Sequence, residues 1–156
     1  LKREARGVER RVIELALRLV LAGTFLYAGF AKIQDPSAFA SQIAAYRLLP
    51  EAAARGLAVL LPPLEILCGL LLLLGRWLLG SSALAAGLLA IFILAMASAI
   101  LRGLRIDCGC FSVSGGHQVS YTRILEDGIL LAAAIFVWWQ NAAKLHALPS
   151  TPHREG

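Results

Sequence analysis

Two cysteines separated by a single glycine, Cys108-Gly109-Cys110, are the residues of this sequence best suited to covalent chemistry. Residues two apart can bring their α-carbons within the roughly 4.4–6.8 Å that a disulfide spans, and the intervening glycine lets the backbone close the ring. Closing so small a ring removes little chain entropy, worth about 1.6 kcal/mol before strain is subtracted, so the bond is a poor staple. A strained, exposed disulfide suits exchange instead: one sulfur is attacked by a thiolate, and the other cysteine resolves the mixed disulfide. The pair also offers two soft thiolates suited to Cu(I), Zn or Hg(II), with Asp107 and His117 available to complete a four-ligand site. Redox exchange, soft-metal binding and a structural staple are the three readings. Arg105 would favour the thiolate form of the neighbouring cysteines and Asp107 would oppose it.

A second set of ionisable groups is embedded in apolar sequence. Glu65 is the single charge between Gly56 and Gly75. A charge inside a membrane span is costly and marks a functional hypothesis by default. Glu65 reads either as a proton-handling group or as the partner of Lys32 or Arg123. Glu14 and Arg18 are four residues apart, the spacing of a salt bridge along one helix. Arg123, Glu126 and Asp127 have the spacing of a similar local pair, with a proton relay as the alternative. Cys68, three residues beyond Glu65 on the same helical face, reads as a small buried hydrophobe set too deep to meet Cys108 or Cys110. His117 alone reads as a solvated loop histidine.

The elements that must position these groups are membrane spans. Of the 156 residues, 58% are apolar, and the mean hydropathy is +0.71, above what a soluble domain of this length hides. Trp77 to Leu101 contains no charge and is long enough to cross a hydrocarbon layer of about 30 Å. The stretch from Val12 to Ala31 is apolar beyond Arg18. Tyr121 to Leu148 is the weakest span, because it crosses only if Arg123, Glu126 and Asp127 sit at the interface or face inward. The expected fold is all-α: a four-helix transmembrane bundle forming one integral membrane domain over residues 1–156, with spans at about 12–32, 54–75, 77–101 and 121–145. The long apolar stretch after the first basic residues has no convincing cleavage site, so it reads as an uncleaved first span.

Lys2, Arg3, Arg6, Arg10 and Arg11 place the N-terminus in the cytoplasm, and four spans return the C-terminus to the same side. Trp77, Trp138 and Trp139 then form an aromatic belt at the inner face. The net charge of +5 reflects this topology and anionic lipid, and nothing suggests nucleic acid. In the first outer segment, Asp35 is a good N-cap, Pro36 suits the first helical position, and Phe39, Ile43 and Tyr46 recur at helical spacing. They predict a short amphipathic helix on the outer surface. Pro62-Pro63 should kink the second span. In the third, Ala83 and Gly87, and likewise Ala86 and Ala90, are spaced for close helix packing.

Several pieces occur in an order that resembles the MauE/DoxX family of redox-associated membrane proteins. They are Ala28-Gly29-Phe30-Ala31-Lys32 with Asp35-Pro36, Tyr46-Arg47-Leu48-Leu49-Pro50, Leu61-Pro62-Pro63-Leu64-Glu65 with Gly69, and Asp107-Cys108-Gly109-Cys110-Phe111. Ser112 departs from the glycine expected there. The resemblance covers residues 12 to 140 and implies a bacterial inner-membrane component of thiol–disulfide chemistry, with Cys108 and Cys110 as the reactive pair. It implies maturation of a disulfide-rich periplasmic partner such as the small subunit of methylamine dehydrogenase, or exchange with a thioredoxin-like protein. Its layout is similar to membrane proteins that pass electrons to quinone, but those use two thiol pairs and this sequence has one.

Overall fold

A computed structural model describes residues 2–104 and 121–146 of the chain. All regular structure among them is helical: α1 (Lys2–Gln34), α2 (Pro36–Ala45), α3 (Glu51–Leu74), α4 (Leu78–Leu101) and α5 (Tyr121–His146). Three helices, at Gly7–Gln34, Glu51–Leu74 and Leu78–Leu101, are long and apolar enough to cross a membrane. α5 has the length, 26 residues, but carries Arg123, Glu126 and Asp127 near its start.

Exposure is arranged for lipid. Leu60 is 69% and Leu94 68% exposed, whereas Glu14, Lys32, Glu65 and Asp127 are buried. A soluble protein hides the first kind of residue and solvates the second. α1, α3, α4 and α5 each contribute to one apolar core, represented by Leu21, Phe25, Leu72, Leu89, Ala134 and Val137. On α1, the inward stripe runs Glu14, Leu21, Phe25, Ala28, Lys32, and on α3 it runs Ala54, Ala58, Pro62, Glu65, Gly69, Leu72. Both follow the helical period, so ionisable residues occupy core positions of otherwise apolar stripes.

Helix ends follow from local chemistry. Asp35 caps α2, its Oδ1 accepting the Ala38 N–H at 2.9 Å and the Ser37 hydroxyl at 2.7 Å. Pro36 occupies the first turn, as the sequence predicts, and Phe39 is buried against the bundle instead of lying on the membrane surface. α3 and α4 end alike. Gly75 and Gly103 adopt left-handed φ values of 69° and 66°, and the following residues donate back to Leu71 and Ala99, the paired bonds of a glycine C-cap. α3 runs on through Pro62 and Pro63 as one helix.

Two expectations are corrected. Ala83 and Gly87 on α4 are exposed, and a Cβ on Gly87 would meet nothing within 4 Å, so no close helix approach occurs there. The close approach is between α1 and α3, at Gly29 and Gly69. Glu14 is not devoted to Arg18 on its own helix: it accepts from Lys144 Nζ at 2.8 Å and Asn141 Nδ2 at 3.0 Å, both on α5.

Candidate functional site

Lys32, near the end of α1, is the centre of a polar site built by all five helices. Its Nζ lies 2.5 Å from Oε1 of Glu65 on α3, and both side chains are 2% exposed. Phe39 of α2 and Phe92 of α4 present their rings to the ammonium, with centroids at 5.2 Å and 4.9 Å. These are cation–π distances. Asp127 of α5 lines the same small cavity as Lys32, Glu65 and Phe92, with Thr24 and Phe25 of α1. The pairing settles one choice left open by the sequence, because Glu65 partners Lys32. Arg123 bonds Glu126 at 2.7 Å, one turn along α5, as its spacing predicts.

An ion pair so deeply buried gains strength from its low-dielectric surroundings and loses the solvation of both ions, so its net contribution to stability is small. Its larger consequence is specification. Lys32 meets its carboxylate only when α1 and α3 are in register. One oxygen of the site is unsatisfied: Glu65 Oε2 is buried with no hydrogen-bond partner. Cys68, one turn beyond Glu65, is buried as expected and donates to the Ser81 carbonyl oxygen at 3.3 Å.

Beside the site, a second apolar cluster joins Tyr46, Met96 and Ala99, with Phe92, Leu104 and Ile124 packed against it. Arg102 donates to the backbone carbonyls of Tyr46 and Arg47, tying the end of α4 to the α2–α3 connection. The chain therefore leaves α4 and enters α5 at the end that carries α2 and Lys32. Arg105, Asp107, Cys108, Cys110 and His117 lie outside the described residues. Among the described residues, no group of three or more His, Cys, Asp or Glu could hold a metal ion.

Sequence reasoning singled out Lys32, Glu65 and Arg123 but missed the place of Asp127 and both aromatic walls. Phe39 was legible only as one residue of an amphipathic stripe, and Phe92 only as one more apolar residue of an uncharged run.

Apolar faces turned outward and ionisable groups turned inward define a multi-pass helical membrane protein. More narrowly, the chain belongs to the family of methylamine utilisation protein MauE, whose profile matches residues 10–140. It is 33% identical over 123 residues to the methylamine utilization protein MauE of Paracoccus denitrificans, covering 78% of this chain and 66% of that protein. Against the protein of the same name from Paracoccus versutus the identity is 33% over 129 residues, covering 82% of this chain and 69% of the relative. For Methylophilus methylotrophus it is 36% over 122 residues, covering 78% and 60%. The chain thus spans about two thirds of the length of the curated relatives it matches. No solved structure gives a significant match.

Proposed function

We propose that this chain is a four-span inner-membrane protein of methylamine utilisation whose Cys108 and Cys110 exchange electrons with a cysteine-containing periplasmic partner. The observation that carries the reading is the Cys-Gly-Cys segment in a chain of this family, tethered to the end of the molecule where α2 lies. Cys108 is four residues beyond Leu104, which packs beside Tyr46. The basic residues before the first span assign that end to the outer, oxidising side, and the exposed Trp77 and Trp139 at the opposite end agree with an inner aromatic belt.

The placement of α5 supports a fourth span. Lys32 and Glu14 are separated by about 27 Å along α1, and Asp127 and Lys144 by about 26 Å along α5, at 1.5 Å per residue. Both intervals match a hydrocarbon layer of about 30 Å. The charged residues of α5 are thereby left near its two boundaries or turned inward.

In the proposed step, two thiols of the partner are oxidised to a disulfide and the Cys108–Cys110 disulfide is reduced to two thiols. Two electrons and two protons move. The partner is a protein like the small subunit of methylamine dehydrogenase, or a thioredoxin-like protein. A membrane quinone, reduced to quinol, is an oxidant of the right class to regenerate the disulfide. Lys32, Glu65 and Arg123 support the outer end of the helices that carry the pair, while Arg105 and Asp107 set its thiolate fraction.

The test is labelling with a membrane-impermeant maleimide in intact spheroplasts, with and without prior mild reduction. Two labels on Cys108 and Cys110 that appear only after reduction support the reading. Labelling without reductant would sink it and direct attention to soft-metal titration, with His117 as a further ligand. Retention of partner maturation in both Cys108→Ser and Cys110→Ser would leave only a non-catalytic assembly role.

A further inference from the structure

Lys32, Glu65 and Asp127 come from three helices, are 1%, 2% and 4% exposed, and line one cavity of about 30 Å³. Such a space is large enough for a water molecule or two. Among the described residues, the charged neighbours do not balance the site. On α5, Arg123 and Glu126 pair with each other. On α3 the next titratable group is the Cys68 thiol, engaged with the Ser81 carbonyl. α2 and α4 present Phe39 and Phe92 to the ammonium. Fully ionised, Lys32, Arg123, Glu65, Glu126 and Asp127 would together carry one net negative charge.

A net charge held in an apolar interior is expensive, and groups placed there change protonation rather than carry it. Glu65 contributes an independent observation: its Oε2 is buried without a hydrogen-bond partner. A proton is a ligand that the volume, the charge deficit and the orphaned oxygen all accept.

We propose that Lys32, Glu65 and Asp127 form a proton-binding site within the helices, in which one of the two carboxyl groups holds a proton and the remaining carboxylate balances the Lys32 ammonium. The site stands on this geometry whether or not Cys108 and Cys110 carry thiol chemistry. No covalent bond other than O–H forms or breaks in its loading.

The test counts protonated carboxyl groups by infrared spectroscopy on the full chain in nanodiscs at neutral pH, in sodium-free buffer. The signal is the carbonyl band of a protonated carboxyl, recognised by its shift in D2O. The wild type should show one such band. Glu65→Gln and Asp127→Asn should each abolish it, since either leaves one cation facing one anion. Lys32→Met should roughly double it, because both acids must then be neutral. Gel filtration establishes that each variant is folded; if Lys32→Met is not, the other two decide the matter. A wild type without the band overturns the proposal, and sodium-dependent stabilisation in that case would identify a small cation as the occupant. A band that survives in both Glu65→Gln and Asp127→Asn overturns it equally.

Discussion

Gly29 on α1 lies so close to Pro62 on α3 that a Cβ at Gly29 would stand 3.0 Å from the Pro62 carbonyl oxygen, and 2.7 Å from Cγ1 of Ile66. The contact is reciprocal. Seven residues along each helix, a Cβ on Gly69 would stand 3.0 Å from the Ala22 carbonyl oxygen and 2.8 Å from Cγ of Leu26. Lys32 follows Gly29 by three residues and Glu65 follows Pro62 by three, so the backbone approach sets the reach of the ion pair. Gly29→Ala and Gly69→Ala should each destabilise the protein by about 1–3 kcal/mol through overpacking. Gly87→Ala, which meets nothing within 4 Å, should be neutral or slightly stabilising. Reversible unfolding in mixed micelles measures all three, and equal losses would show that the α1–α3 contact is not tight.

The Lys32–Glu65 pair should behave as a coupled unit. Lys32→Met alone breaks a buried pair, a change that costs about 3–5 kcal/mol. Adding Glu65→Leu should recover most of that loss, with a coupling of about 0.5–3 kcal/mol in the double-mutant cycle. The exposed Arg55–Glu51 pair, 69% and 77% accessible, provides the contrast: its coupling should stay near 0.3–0.5 kcal/mol and fade with salt. Additive losses at Lys32 and Glu65 would mean that the short contact contributes no coupling.

Local spacing revealed what local spacing controls. The α4 run is apolar enough to be read directly as a membrane-length helix, and Asp35-Pro36 announces the start of α2 because capping is decided within four residues. Glu65 stands out because an isolated charge in apolar sequence requires a partner. The identity of partners was less accessible. Glu14 has Arg18 one turn away, yet bonds Lys144 and Asn141 across the full length of the chain. Asp127 follows Glu126 directly, but adjacent residues on a helix point about 100° apart, so Glu126 stays with Arg123 while Asp127 turns to the Lys32 cavity. Gly29 and Gly69 each look ordinary within their own helix, and their role exists only when the two helices are apposed.

The cap on α2 should be acid-sensitive. The Ala38 backbone N–H and then the Ser37 hydroxyl stabilise the charged Asp35 carboxylate and hold it below the ordinary carboxylate range. A depressed folded-state value contributes stability that is complete above the unfolded value and is lost as pH falls through the folded one. The protection of the Ala38 amide, the slowing of its exchange relative to the unprotected amide at the same pH, should therefore be high at neutral pH and fall below the usual titration range of an aspartate. Asp35→Ala should show low protection at every pH, while Asp35→Asn, which can still accept the Ala38 N–H, should keep a protection that does not change with pH. A wild-type profile flat into strong acid would dissociate the cap from the charge.

The topology proposed for α5 makes the last prediction. Tyr121 begins the helix beside the end that carries α2, and Lys144 lies at its other end against Glu14 of α1. Twenty-three residues separate them, about 34 Å along a helix, which exceeds the hydrocarbon thickness. In a chain lacking Cys68, Cys108 and Cys110, Tyr121→Cys should label with an impermeant maleimide in spheroplasts and Lys144→Cys only after the membrane is opened. Lys144→Cys also removes a partner of Glu14, so Ala143→Cys, an exposed neighbour on the same helix, serves as its structural control. Labelling of both ends from the outside would place α5 on the membrane surface, and inverted labelling would reverse the orientation assigned from the N-terminal arginines. The inverted pattern would also change the compartment in which Cys108 and Cys110 work, because an outward position is what makes their disulfide persist.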